Sequence, residues 1–179
     1  PLIEEVLTDL APLAEQKGIT LASEGDAQTI GSDTLIYRLL FNLAENAIRY
    51  SAPNSTVQIN ACAEGDRVLL RVRDQGPGIP EQYQTSIFQP FFRVDKSRSR
   101  AYGGVGLGLA LVWEIAALHG GSIEVEESSE RGTTMLVTLP AHNIEDARNW
   151  AKRQQKAPAS KRKRGLGELA YSHSTVPTG

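Results

Sequence analysis

Asn42 and Asn46 stand four residues apart in a segment whose apolar residues repeat with helical spacing. An i, i+4 pair points to one side of a helix. Asparagine is a weak helix former and a poor core residue unless its amide is satisfied. Two on one face ask for a partner. Amide oxygens suit Mg²⁺, a hard cation that keeps several waters and binds phosphate oxygens as well. Two capped or solvated asparagines are the plainer alternative. Arg49 and Tyr50 follow on the next turn. A second group is Asp74-Gln75-Gly76-Pro77-Gly78, after an apolar run. Its glycines allow close backbone approach or positive φ, and an Asp at a strand end can accept from a ligand amino group. An ordinary Gly-Pro turn fits the same residues. A third group, Gly103-Gly104-Val105-Gly106-Leu107-Gly108-Leu109, runs into an apolar helical segment. Glycine-rich loops before helices offer backbone N–H groups and a positive dipole end to phosphates. Between the second and third lies Phe88-x-x-Phe91-Phe92-Arg93-x-Asp95-Lys96. It suggests a loop anchored by aromatics, of the kind that serves as a lid. Arg93, Lys96, Arg98 and Arg100 would then face a triphosphate; a solvated basic stretch is the alternative.

The familiar phosphate loops do not fit the third group. A P-loop places Lys and then Ser or Thr after its last glycine, and here Leu109-Ala110 follow. A dinucleotide-binding loop follows a hydrophobic strand, whereas the polar Ser97 to Tyr102 precede these glycines. The His-Arg-Asp core of a eukaryotic-type protein kinase is absent from the sequence.

These groups need elements to hold them. Leu2, Val6, Leu10 and Leu13 keep near-helical spacing; Pro12 weakens or bends that helix late, and Gly18 ends it. Ile19 and Leu21 suggest a short strand and Thr29-Ile30 a second. Ser32 or Asp33 caps a helix over 35–50, with Leu35, Ile36, Leu39, Leu40, Leu43, Ala47 and Ile48 on one wide face. Ser51 to Asn54 breaks it. Strands are expected over 56–61 and 68–72, joined by a hairpin turn at Glu64-Gly65-Asp66. A helical stretch is expected near 83–88 and a buried helix over 107–119, stopped by Gly120-Gly121. Strands near 122–127 and 133–139 come next, with a turn over 128–132.

Charge separates this body from the C-terminal segment. Residues 144–179 hold eight Lys or Arg and three Asp or Glu, a net of +5, which leaves −7 on residues 1–143. An acidic body argues against electrostatic nucleic-acid binding, so no nucleic-acid partner is expected. The basic run Lys161 to Arg164 reads as part of a solvated tail. The domain is expected over 1–140, with 141–179 a mostly disordered basic tail that opens with a short polar helix. Cys62 is the single cysteine, so no intrachain disulfide forms. The sequence has no apolar run long enough to cross a membrane as a helix and no signal-peptide pattern.

Together, in this order and at this spacing, the four groups resemble the ATP-binding catalytic domain of bacterial sensor histidine kinases. Asn42 to Tyr50 is similar to its N box, Asp74 to Gly78 to its G1 box, Phe88 to Arg93 to its F box, and Gly104 to Gly108 to its G2 box. The resemblance covers residues 1–140. It implies a two-layer α/β sandwich of the Bergerat type, with a mixed sheet and helices on one face, in the gyrase, chaperone and histidine kinase ATPase superfamily. It implies ATP and Mg²⁺ as ligands. Asn46 would bind Mg²⁺ with help from Asn42, Arg49 would contact phosphate, and Tyr50 would stack near adenine. Asp74 would accept from the adenine amino group in a pocket shaped by Gly76, Gly78 and Ile79. Gly104, Val105, Gly106, Leu107 and Gly108 would hold phosphates by backbone. Lys96 and Arg93 would act from the lid, Arg93 catalytically, and Thr133 is similar to the superfamily's adenine-side threonine. Gln75 stands where Asn is common, away from the central adenine contact.

One position separates the branches. Hydrolysing members carry a Glu, as general base, four residues before the Mg²⁺ asparagine; here Asn42 stands there, an amide that takes no proton at neutral pH. The resemblance therefore implies transfer of the γ-phosphoryl to a histidine, with Asn42 and Arg93 as catalytic residues acting by position and charge. None of His119, His142 and His173 stands in the family's phosphoacceptor setting. The acceptor and its dimerisation helices are expected upstream of Pro1, in a homodimeric parent that serves a response regulator. The resemblance also implies a cytoplasmic domain of a kinase anchored in the inner membrane.

Overall fold

A computed structural model describes residues 2–93 and 107–141. The first helix, α1 (Leu2–Lys17), buries Val6, Leu10 and Ala14, one residue per turn. Pro12 lies within it, exposed, and does not end it. The stop comes at Gly18, whose φ is 70°. Gly18 N–H donates to Glu15 O at 3.0 Å and Ile19 N–H to Ala14 O at 2.8 Å, the paired bonds of a Schellman cap. The chain then enters β1 (Thr20–Glu24). Thr29-Ile30 forms no strand. Two alternating residues are too few to hold a register, and Thr29 instead ties down by its side chain, Oγ1 donating to Pro140 O at 2.7 Å.

Ser32 caps α2 (Asp33–Tyr50), its Oγ accepting from Leu35 N–H at 3.4 Å. The expected wide face is buried from Ile36 to Ile48. Strands β2 (Thr56–Glu64) and β3 (Arg67–Arg73) form the hairpin, with Gly65 at φ 62° in its turn. In place of one helical stretch near 83–88 there are two single 3₁₀ turns, Glu81–Tyr83 and Ser86–Phe88. Pro80 and Pro90 bracket so short a segment that i→i+3 bonds close before an α-helix can propagate. Helix α3 (Gly108–Leu118) ends in a second Schellman cap, Gly120 N–H to Ala117 O and Gly121 N–H to Ala116 O. Strands β4 (Ser122–Ser129) and β5 (Gly132–Pro140) complete the sheet. The tail and its proposed short helix lie outside the described residues.

The sheet order is β1-β2-β3-β5-β4, with β1 parallel to β2 and the other pairs antiparallel. Alternate residues turn to one face: Val57, Ile59 and Ala61, Val68, Leu70 and Val72, then Met135, Val137 and Leu139. All three helices pack there in one core, which makes the expected two-layer sandwich. No helix among the described residues is long and apolar enough to cross a membrane.

Two side chains fasten the helices to one another. Lys17 Nζ donates to Ile48 O at 3.1 Å and Arg49 O at 2.5 Å, capping the carbonyl end of α2 from α1. Burial pushes its ammonium below the usual lysine range. His119 Nδ1 lies 2.7 Å from Ile115 O, and its Nε2 accepts from Ser32 N–H at 3.3 Å, which puts the proton on Nδ1. His119, at the end of α3, thus also pins the start of α2.

Gly132 tests how closely β5 must approach the end of β3. Its φ is 133°, and an added Cβ would lie 2.0 Å from Asp74 O. Gly132→Ala is expected to cost roughly 2–4 kcal/mol from backbone strain and steric overlap together. Urea denaturation of the variant against the parent chain measures it.

Candidate functional site

The strongest feature is a buried carboxylate at the end of β3. Asp74 is 7% exposed. Its Oδ1 accepts from Gly76 N–H at 2.9 Å and from Thr133 N–H at 3.1 Å. Its own N–H donates to Thr133 O at 2.9 Å, which carries the β3–β5 ladder one step into the loop. Burial pushes the carboxyl above its usual range, while the two backbone donors pull the other way. A carboxylate held through one oxygen in this way keeps acceptor capacity for a ligand donor.

The glycines after Asp74 pass against backbone. A Cβ on Gly76 would lie 2.6 Å from Tyr50 O, and one on Gly78, whose φ is 78°, 2.2 Å from Ser129 O. The loop is fastened on three sides. Ser51 Oγ accepts from Gln75 N–H at 3.2 Å, Ala52 N–H donates to Gln75 O at 3.2 Å, and Gln75 Oε1 accepts from Thr56 N–H at 2.8 Å. Gln75 thus points its side chain at β2, away from Asp74. On the other wall, Ser128 Oγ accepts from Ile79 N–H at 2.8 Å and lies 2.8 Å from Thr133 Oγ1. Ser128, Ser51 and Gly132 belong to this region, and sequence reasoning missed all three. A serine at the end of a strand or helix has no spacing that sets it apart; the Gly132-Thr133 pair next to a strand was the available signal.

The second wall is α2. Asn42, Glu45, Asn46 and Arg49 are half-buried along it. Asn42 Nδ2 donates to Arg38 O at 2.7 Å. Its Oδ1 faces the start of α3, 3.4 Å from where a Cβ on Gly108 would stand. The Asn46 side chain makes no hydrogen bond among the described residues. Arg49 pairs with Glu45 at 2.9 Å. Tyr50 is 52% exposed. Helix α3 opens at Leu107 without a side-chain cap, and its N-terminal end carries the positive end of the helix dipole.

The aromatic segment divides by function. Phe88 is buried in the core, Phe92 rests on Tyr83 with ring centroids 5.7 Å apart, and Phe91 is 71% exposed at φ 62°. Arg93 is half-buried at the end of the described stretch. Lys96, Gly104, Val105 and Gly106 lie outside the described residues. The structure therefore brings Asp74, Gly76, Gly78, Ile79 and Thr133 into one cluster, and Asn42 to the foot of α3.

Amide oxygens on one helix face, one of them without a partner among the described residues, suit a hard cation that keeps phosphate and water ligands. No cluster of His, Cys, Asp and Glu able to hold a metal occurs among the described residues.

A family profile for histidine kinase-, DNA gyrase B- and HSP90-like ATPases matches residues 31–143. The sensor-like histidine kinase SenX3 of Mycobacterium bovis is 37% identical over 142 residues, covering 78% of this chain and 35% of that protein. The chain spans about a third or less of the length of the curated relatives it matches first. Among solved structures, full-length ShkA in complex with AMPPNP superposes with a TM-score of 0.68 at 29% identity, covering 78% of this chain and 29% of that one. Histidine kinase ThkA in complex with the response regulator protein TrrA gives 0.64 at 28%, covering 79% and 40%. The chain belongs to the histidine kinase-, DNA gyrase B- and HSP90-like ATPase family, and within it is the ATP-binding catalytic domain of the histidine kinase branch.

Proposed function

We propose that this chain binds Mg·ATP and donates the γ-phosphoryl group to a histidine on a dimerisation domain outside these residues, as the catalytic part of a two-component signalling kinase. The observation that carries this is the buried Asp74 carboxylate, held by backbone N–H groups on one oxygen and left to read an amino group with its remaining acceptor capacity. ShkA's complex with AMPPNP supports an adenine nucleotide as the ligand. Adenine lies between Asp74, Gly76, Gly78, Ile79 and Thr133, with Tyr50 at its edge. Arg49, Arg93, Lys96 and the backbone N–H groups of residues 104–108 are the proposed phosphate contacts. Asn46, with Asn42 beside it, would hold Mg²⁺, which would supply charge neutralisation on the phosphates. Residues 1–140 form the domain and 141–179 lie beyond it.

Transfer is favoured over hydrolysis because Asn42 offers an amide where a general base would stand. Its Nδ2 is spent on Arg38 O, and an amide takes no proton from water at neutral pH. Catalysis then rests on position and charge. His119 is no acceptor, since both ring nitrogens are engaged. ThkA's complex with TrrA supports a response regulator as downstream partner, reached through the acceptor domain. A homodimeric parent in the inner membrane, with this domain on the cytoplasmic side, completes the reading.

Three outcomes test it. Asp74→Asn keeps an oxygen for Gly76 and Thr133 but turns its NH₂ toward the adenine amino group. It should lower ATP affinity roughly 10- to 100-fold without loss of stability, measured by calorimetric titration and urea denaturation. The second outcome concerns pH. Asp74's folded pKa is raised above its unfolded value, so ionisation is a cost to the fold above the folded pKa, relieved as pH falls through it. Binding runs the other way, because the ionised form is the better acceptor. The ratio of parent to Asp74→Asn affinity should shrink as pH is lowered from 7 toward the carboxyl range; a ratio independent of pH removes Asp74 from the base contact. Third, the chain with labelled ATP should neither label itself nor turn over ATP, yet should label a histidine on an acceptor-helix domain added in trans. Self-labelling or steady hydrolysis refutes the transfer reading.

A further inference from the structure

Ser128 and Thr133 are directly paired across β4 and β5. Their hydroxyls lie 2.8 Å apart, and Ser128 Oγ also accepts from Ile79 N–H at 2.8 Å. Ser128 lies near the Asp74 loop as well, its Oγ 3.3 Å from the point a Cβ on Gly78 would occupy. Thr133 is 3% exposed, and its N–H is fixed on Asp74 Oδ1.

A hydroxyl has one hydrogen to give and two lone pairs. Ile79 N–H can only donate, so it takes one lone pair of Ser128. The hydrogen of Ser128 has Thr133 Oγ1 as its one hydrogen-bonding acceptor among the described residues. Once it is given there, the hydrogen of Thr133 is left to point outward from the pair. The chain of donors then runs in one direction, from Ile79 N–H through Ser128 to Thr133, and bonds aligned this way strengthen one another. Reversing the middle bond would leave Thr133 presenting only lone pairs.

We propose that Ser128 is a positioning residue for base recognition: it sets the direction of the Thr133 hydroxyl so that Thr133 donates to the ring nitrogen N1 beside the adenine amino group. This deepens the adenine-nucleotide reading and rests on it. Asp74 accepts from the amino group, and Thr133, turned by Ser128, donates to the neighbouring ring nitrogen. The two contacts have opposite polarity, as the adenine edge does. A guanine edge reverses both, with a carbonyl opposite the carboxylate and a ring N–H opposite the hydroxyl hydrogen.

The test pairs one substitution with one atom of the ligand. Affinities of ATP and of 1-deaza-ATP, which has C–H in place of N1, are measured for the parent chain, Ser128→Ala and Ser128→Thr. The parent chain should prefer ATP. Ser128→Ala should weaken ATP roughly 3- to 10-fold while leaving 1-deaza-ATP unchanged, so that the preference collapses, and Ser128→Thr should restore it. Should Ser128→Ala fail to fold, Ser128→Cys keeps the shape with a poor donor and is held to the same comparison. Equal weakening of both nucleotides, or no change in either, overturns the proposal and assigns Ser128 a structural role only. A parent chain that binds ATP and 1-deaza-ATP equally also overturns it while sparing the adenine-nucleotide reading, whereas one that binds no ATP removes that reading as well.

Discussion

The structure turns on a carboxylate placed where carboxylates are costly. Asp74 is almost wholly buried, at the point where β3 leaves the sheet. Burying an ion without partners costs several kcal/mol. Two backbone N–H groups meet one oxygen here, one from Thr133 in β5 and one from Gly76 in the loop that follows β3. Thr133 lies in β5, and its C=O also accepts from Asp74 N–H. The exchange continues the β3–β5 register of Arg73 with Thr134. The side chain's position is therefore an extension of strand pairing, and the sheet's rigidity passes directly to the one group whose orientation matters most.

That continuity constrains everything beside it. For Thr133 to reach Asp74, the chain must enter β5 at Gly132 against the Asp74 carbonyl, where no Cβ fits. For the loop to turn back, Gly76 must pass the Tyr50 carbonyl and Gly78 the Ser129 carbonyl. The loop then touches the end of α2 on one side and the end of β4 on the other. Ser51, nearly fully buried, and Gln75 finish the fastening to α2 and β2. These glycines serve close approach as much as conformation. The loop is a rigid junction of α2, β2 and β4, not a tether between strands.

How much of this was legible in the sequence depends on whether a residue's task is local. Val57, Ile59, Val68, Leu70 and Val72 alternate, and one sheet face follows from that alone. Leu39, Leu43 and Ala47 do the same for a helix. Asp74 and its glycines were visible because four residue groups stood in order, although their partners Tyr50 O and Ser129 O were not. Ser128 was invisible: its meaning comes from a cross-strand partner and an amide distant in sequence. Thr29-Ile30 misled in the other direction, because alternation over two residues says nothing of whether a neighbouring strand is there to pair. The 83–88 stretch has helical composition but too few residues between prolines to nucleate an α-helix.

The phosphate side obeys a different logic, and its precision comes from helix length. Helices α2 and α3 meet at two places: Asn42 against Gly108, and the start of α2 against His119. From Ser32 to Asn42 is ten residues, and from Gly108 to His119 eleven. At about 1.5 Å per residue these are spans of about 15 and 16 Å, so two antiparallel helices pinned at one end arrive in register at the other. Leu39 and Leu43 of α2 and Val112, Ile115 and Ala116 of α3 belong to the one buried core. His119 therefore acts at a distance from the chemistry. By holding the end of α3 on Ser32, it fixes the height at which the uncapped start of α3 meets the asparagine face of α2. The adenine side gets its geometry from strand pairing and the phosphate side from helix registration, and Tyr50-Ser51, where α2 ends against the Asp74 loop, is the joint at which the two are made to agree.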